Sequence, residues 1–419
     1  MPAFQPGPSA AFPARHGSEV ARARRAARLI VGQIPSGVSS QPTEADWARL
    51  GQGLMQGDPL ADQLVAWMQA TGMRVAWAQV NQAIEQGVAA VPDAAPALRA
   101  FFEHVERLPD WVDEQRLVRG AQVCGLGGRA GMRALAVTGL MAGYQLAAVN
   151  QTLLATGALE KGAARRIAET TKWWIDVTEP GAMVRGGDGF KSTLRVRIIH
   201  ALVRHHVGHQ PGWRFDDLGV PVNQTDMQAT YLGFSVVYLL GLKLIGVPLS
   251  RADKAAVMHL WRYIAWVNGV DERLLHDLVD GERSGMAWLF KNLLSQRMAD
   301  ADSARLACAL ADEPLQRHYP RWGWLMGRFN RAMQLSIARA CMGNDTLRGL
   351  GLPLHTLPWY PLWMMAINQP LHRGVGCLPG GREWLMRRGR AQQRDYLPVL
   401  FGRQAPGLRD VNAVKVAAP

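Results

Sequence analysis

His200 stands on an apolar stretch with an arginine about one turn away on either side, Arg197 three residues before it and Arg204 four after. On a helix those spacings make neighbours. The segment from roughly Lys191 to Val207 carries Leu194, Ile198, Ala201 and Leu202 as one stripe and Val196, Val203 and Val207 as a second. The predicted helix is therefore buried over much of its girth. Asp188, Ser192 and Thr193 follow Gly186-Gly187 and offer capping oxygens at its start. Adjacent guanidinium groups disfavour a protonated imidazole and keep His200 neutral, the form a metal requires. They are also placed to meet carboxylates, such as the propionates of an iron macrocycle. The same pattern describes a core histidine bonded to a carbonyl, with its arginines in ordinary salt bridges.

A second helix is expected just upstream. Arg166 and Thr170 lie four residues apart and share a face that Trp174 continues, with Glu169 one position to the side. An Arg165–Glu169 ion pair beside core tryptophans satisfies that spacing equally well.

Arg-x-x-x-Thr followed thirty residues later by the histidine resembles the haem-dependent oxygenase family of the latex clearing proteins (bacterial rubber oxygenases) and the fungal MpaB-type oxygenases. The resemblance extends, in order, through Gly57-Asp-Pro-Leu-Ala-Asp62, Leu108-Pro-Asp-Trp-Val112, Thr156-Gly157, Thr193 to His205, and Asn223-Gln-Thr-Asp-Met227 with Thr230 and Phe234-Ser235. It implies an all-α, globin-like core holding haem b non-covalently. It maps the proximal histidine and metal ligand onto His200 and the pocket arginine and threonine onto Arg166 and Thr170. Rubber-cleaving members carry a pocket glutamate upstream of the arginine, taken as a base toward the allylic substrate. Here no acidic residue occurs between Glu114 and Glu160, and the corresponding stretch offers only Tyr144, Gln145, Asn150 and Gln151. Glu169, next to Thr170, is the acidic residue left to act as base or distal ligand.

Composition agrees with a substantial folded unit: 419 residues, 48% hydrophobic and 19% charged, with Ala, Leu, Arg and Gln at helical spacing almost throughout. The expected fold class is all-α. The net charge of +13 is concentrated at the ends, +4 in residues 1–33 (five Arg, one Glu) and +5 in residues 382–419 (eight Arg or Lys, three acids). A groove tracking phosphates is therefore not expected, and neither is a specific nucleic acid partner. The basic ends are suited at most to weak peripheral contact with an anionic membrane.

The four cysteines are scattered without a C-x-x-C pair and read as reduced thiols. With no apolar run after Arg24-Arg25, a cytoplasmic location is expected. Ala134 to Leu159 and Met227 to Pro248 are apolar enough to prompt a membrane reading, but their polar interruptions fit central helices of a bundle. Gly125-Leu-Gly127-Gly-Arg-Ala130 has the letters of a dinucleotide loop without a preceding strand. His205 and His209, with Asp216 or Asp217, lack a third ligand fixed by spacing.

The expected organisation is a basic, partly disordered arm over 1–40 with one helix near Glu19 to Val31, a helical domain over 41–400 and a basic tail over 401–419. Helical segments are expected over Glu44 to Gln86 and near Ala252–Val267, Glu272–Leu294 and Trp322–Cys341. The core would span about 111–342, with residues 353–400 wrapping it. The reading that follows is a haem b oxygenase using O₂ on a hydrophobic substrate, with cleavage of an isoprenoid-type C=C bond as the reaction. His200 would hold the iron, Arg197 and Arg204 would pair with propionates, and Arg166, Glu169 and Thr170 would serve the oxygen pocket. The alternatives are a non-catalytic helical haem- or lipid-binding protein and a metal-free helical scaffold.

Overall fold

The computed structural model describes residues 11–33, 38–157, 162–275 and 281–402, and among these every regular element is a helix. The predicted all-α class is what is found. In chain order the helices of seven or more residues are α1 (Val20–Ala26), α2 (Glu44–Leu54), α3 (Pro59–Thr71), α4 (Met73–Gln86), α5 (Pro96–Glu106), α6 (Glu114–Gly125), α7 (Gly128–Leu135), α8 (Ala147–Ala155), α9 (Ala163–Val177) and α10 (Asp188–Gly208). They continue with α11 (Gln224–Phe234), α12 (Val236–Leu244), α13 (Arg251–Val267), α14 (Glu282–Ser295), α15 (Ala301–Asp312), α16 (Gly323–Cys341), α17 (Trp359–Gly376) and α18 (Gly381–Arg394).

Local chemistry accounts for many of the starts. Thr43 and Asp46 form a reciprocal capping box at α2, as do Ser250 and Asp253 at α13. Asp58 caps α3 through Ala61 N–H with Pro59 as its first residue. α10 begins earlier than expected, at Asp188. Ser192 and Thr193 lie inside it and donate back to the Gly189 carbonyl at 3.0 and 2.8 Å instead of capping.

α13 is the central element. Its Trp261 stacks on Phe234 at 5.2 Å and meets Trp173 of α9 edge-on at 5.9 Å, while Trp174 packs on Tyr238 of α12. The two tryptophans of α9 are thus core residues. Gln224–Leu244 is long and apolar enough to cross a membrane. It is broken at Ser235 into α11 and α12, and Leu232, Val236, Tyr238 and Leu239 are buried within the molecule. Between α7 and α8 the helix widens into a π-type turn over Ala136–Met141 and then ends, leaving buried Tyr144 at the break.

The N-terminal segment differs from the expected arm. Arg15 is 1% exposed and pairs with Asp226 of α11, while Ala14 and Arg15 N–H donate to the Asp216 and Asp217 carbonyls. Glu19 accepts from Met298 N–H at 2.7 Å. Residues 11–27 are thus docked on the core, because a buried guanidinium requires its carboxylate. At the other end, Leu397–Phe401 is a short helix, with Leu400 and Phe401 buried. Residues 1–10 of the expected arm and 403–419 of the expected tail lie outside the described residues.

Candidate functional site

α9 and α10 are joined by a ten-residue connection and pack against each other, as short connections between antiparallel neighbours require. Arg166 lies eleven residues before the end of α9 and His200 twelve after the start of α10. At about 1.5 Å per residue the two stand at nearly the same height above the connection. Thr170 lies about one turn lower than Arg166.

His200 is partly accessible, yet its Nδ1 is sealed and has no hydrogen-bond partner. Burial, and then the charge of Arg204, lower its pKa from 6.5 to about 4. The imidazole is therefore neutral at pH 7. An orphaned, neutral ring nitrogen is costly unless the group is reserved for a ligand. The expected core histidine bonded to a carbonyl is not what is found. Among the described residues no group of three or more His, Cys, Asp or Glu could hold a metal ion. A metal bound by His200 would need its other donors from outside the chain, as a macrocycle provides. The His205 and His209 rings do approach to 4.3 Å, but His209 Nδ1 is bonded to the His205 carbonyl and Asp217 is paired with Arg297 and Arg214.

The two arginines beside His200 already have carboxylate partners. Arg197 makes a bidentate pair with Asp58, Nε–Oδ2 2.6 Å and Nη2–Oδ1 3.0 Å. Its Nη1 donates to the Val267 carbonyl and its guanidinium lies 5.0 Å over Phe101. Arg204 donates to Asp62 at 2.7 Å and to the Val222 carbonyl at 2.8 Å, leaving Nη2 buried and unpartnered. Burial alone would raise the Asp58 carboxyl, but the Arg197 charge and hydrogen bonds hold it below 3.8. Burial pushes Asp62 above 3.8 in spite of Arg204, so the second clamp is the weaker. Arg197, expected from the sequence to pair with a propionate, is here paired with a protein carboxylate, three of its five N–H donors being engaged.

This clamp explains two glycines. A Cβ on Gly269 (φ +86°) would fall 2.2 Å from Asp58 Oδ2, and one on Gly57 would fall 2.7 Å from Arg204 Nε. Gln224 ties both backbones together by donating to the Gly57 and Gly269 carbonyls at 2.8 and 2.9 Å. Asp58 and Asp62 were not singled out as partners of Arg197 and Arg204. The available signal was an i, i+4 acid pair at a helix start.

On α9, Arg166 Nη1 donates to Tyr144 Oη at 3.4 Å, and the Tyr144 carbonyl accepts from Asn150 Nδ2 at 2.8 Å. Asn150 also donates to Ser303 at 3.0 Å. The stretch where a pocket glutamate was sought therefore holds two neutral, buried, engaged side chains. Thr170 is half-buried and its hydroxyl bonds to no described residue. Glu169 Oε1 accepts from Arg165 Nε at 2.6 Å, the ion pair that the spacing allowed. α8 carries no charge, yet only Ala147, Ala148 and Asn150 of it are fully buried. Val149, Leu153 and Leu154 stay partly accessible, as do Val196 and Leu202 of α10. Two cavities lie elsewhere, one of about 310 Å³ beside α2 and one of about 570 Å³ beside α17. Neither is lined by His200, Arg166 or Thr170.

Comparison with known proteins bears on this arrangement. The solved structure of latex clearing protein LCP in the closed state superposes with a TM-score of 0.63 at 22% identity, covering 85% of this chain and 93% of that one, and so shares the fold. A rubber oxygenase of Streptomyces sp. (strain K30) is 30% identical over 191 residues, 44% of this chain and 46% of that protein. The match thus spans about half the length of that curated relative. Residues 115–369, more than half of the chain, match the family described as ER-bound oxygenase mpaB/B'/Rubber oxygenase, catalytic domain. The segment that includes α8, α9 and α10, with Arg166, Thr170 and His200, lies within that match, and the chain belongs to the MpaB/rubber oxygenase catalytic-domain family.

Proposed function

We propose that this protein is a haem b-dependent oxygenase that uses O₂ on a hydrophobic substrate, with oxidative cleavage of an isoprenoid-type C=C bond as its reaction class. The observation that carries the proposal is His200, a neutral imidazole with an orphaned Nδ1 on an apolar helix inside the family's catalytic domain. His200 would hold the iron. Haem bound there would supply the redox-active centre for oxygen chemistry. The Asp58–Arg197 and Asp62–Arg204 clamps fix α10 against α3 and so set the position of the imidazole. Arg204 Nη2 is the donor that pair leaves free for a cofactor carboxylate. Arg166, steadied by Tyr144, and Thr170 supply a cation and a hydroxyl from the adjacent wall. The uncharged α8 supplies apolar surface for a hydrocarbon chain and keeps water away.

A non-catalytic haem- or lipid-binding protein is the second reading. It is favoured by the buried, hydrogen-bonded Asn150 and Tyr144 in the stretch where a carboxylate would act. Two measurements separate the readings. The purified protein reconstituted with haem should show a strong Soret band that His200→Ala abolishes, and it should consume O₂ in the presence of polyprenyl substrates. A Soret band without O₂ consumption favours the binder, and no haem uptake overturns the oxygenase and leaves of the second reading only lipid binding.

A further inference from the structure

α16 and α17 leave one face bare. On α16, Trp322, Leu325 and Phe329 repeat at i, i+3 and i+7. On α17, Trp359, Trp363 and Ile367 repeat at i, i+4 and i+8. Phe329 meets Trp359 at 5.7 Å and Trp359 meets Trp363 at 6.2 Å, so the two stripes join into one. Trp322 is 78% exposed, and Trp324 beside it is 74% exposed. Large apolar side chains contiguous over two helices mark an interaction surface, whereas scattered ones do not.

Neither α16 nor α17 carries an acidic residue of its own, and Asp312 is the acid that reaches α16, at Arg331. No acidic residue occurs between Glu313 and Asp345, nor between Asp345 and Glu383. Arg328 lies 5.0 Å over Trp324. Arg321, Arg339 and Arg373 have no carboxylate partner among the described residues. A cavity of about 570 Å³ lies on another side of α17, walled by Leu244, Leu354, Pro361 and Met365, with Arg339 and His355 as its polar groups. Leu357 and Leu362, 73% and 61% exposed, line it. Exposed tryptophans with arginines and no acids are the composition of a surface that lies in a lipid interface, aromatic rings at the level of the head groups and guanidiniums on phosphates. A self-association interface or a neutral particle would not call for the unpaired arginines.

We infer that the α16–α17 face docks on an anionic lipid bilayer, with the apolar stripe entering the interface and Arg321 and Arg339 meeting lipid phosphates. Co-sedimentation of the full chain with phosphatidylcholine vesicles, and with vesicles that also contain phosphatidylglycerol, tests this. Binding is expected to favour the anionic vesicles and to weaken when ionic strength rises from about 0.1 M to about 1 M, which shortens the screening length from about 10 to about 3 Å. Trp322→Ser with Trp363→Ser should weaken binding at least about tenfold. Arg321→Gln with Arg339→Gln should weaken it roughly fivefold per arginine. All four side chains are exposed or half-buried, so unchanged melting temperatures should accompany both losses. Equal binding by wild type and both variants overturns the inference, as does no preference for anionic vesicles. So does a dimer in analytical ultracentrifugation that the tryptophan substitutions dissolve, which would make the occupant a second copy. Binding to polyisoprene emulsion but not to anionic vesicles overturns it as well.

Discussion

Replacing Asp58 by alanine removes two things at once: the cap of α3 and the counter-charge of Arg197, which is 3% exposed and sits three residues from His200. Loss of an aspartate cap costs about 1 kcal/mol. Leaving a buried guanidinium without its partner costs about 3–5 kcal/mol. The expected loss of about 4–6 kcal/mol is a large share of the roughly 5–15 kcal/mol that holds a domain folded. Asp58→Asn keeps a capping side chain of the same shape and should be milder by about the 1 kcal/mol of the cap. The double variant Asp58→Asn/Arg197→Met, with no buried charge left, should be more stable than Asp58→Asn alone, because apolar replacement of a buried pair is often neutral or better. Urea unfolding at pH 7, followed by far-UV circular dichroism, measures all three. Since the Asp58 carboxyl is held below 3.8, the stabilisation is fully present above that pH and is lost only as pH falls through the lowered value. A loss under about 1.5 kcal/mol for Asp58→Ala, or a double variant no better than the single, would refute the clamp. Retention of haem by the double variant would show that Arg197 serves the fold, and a loss of haem at restored stability would return it to the cofactor.

Other outcomes follow from the same contacts. His200→Ala should abolish haem uptake while leaving helical content nearly intact, read from the Soret band and far-UV dichroism. A full Soret band at unchanged stoichiometry would move the ligand elsewhere. Because the Glu169 carboxylate is held by Arg165, Glu169→Gln should change turnover by less than about tenfold. A fall of about 10²-fold or more, the scale of a lost general base, would make it the proton acceptor after all. Deleting residues 1–17 removes Arg15 from Asp226 and should cost about 3–5 kcal/mol in urea unfolding. Unchanged stability would mean the N-terminal segment is not part of the core. The His16 ring is sealed between Phe12 and Trp47, and burial lowers its pKa from 6.5 to about 4 against a hydrogen bond with the Trp47 backbone. The unfolded chain therefore gains the proton first, and stability should fall between pH 6.5 and about 4, at about 1.36 kcal/mol per pH unit by up to roughly 3 kcal/mol. His16→Phe should remove that part of the acid slope.

What was legible in the sequence is what depends on near neighbours. The helix bearing His200, the Arg166–Thr170 face, the Arg165–Glu169 pair and the segments at 44–86, 251–267 and 323–341 all follow from periodicity and caps within a few turns. What escaped depends on distant partners. Arg15 reads as one charge of a basic arm until Asp226 is placed over it. The ordinary salt bridges that the sequence allowed for Arg197 and Arg204 are found, but their partners Asp58 and Asp62 lie about 140 residues away and could not be named from spacing. The break that sets Tyr144 beside Arg166 comes from a π-type turn, which has no residue signature comparable to a cap. The family resemblance located Arg166, Thr170 and His200 but said nothing of what holds them in register.

The pairing of Arg15 with Asp226 also orders events in time. The two residues are 211 positions apart, so Arg15 has no charge partner until α11 has been made. At roughly 5–20 residues per second that wait lasts about 10–40 s. Throughout it the Arg15 guanidinium is without its counter-charge, and closing so long a loop carries an entropic cost that more local contacts do not repay early. The segment's remaining partners come later still, since Gly17 N–H donates to the Ser295 carbonyl and Glu19 accepts from Met298 N–H, and α3 through α10 can assemble meanwhile. Changes in residues 11–27 therefore act on a late docking step, and chaperone dependence of newly made chains should be sensitive to them.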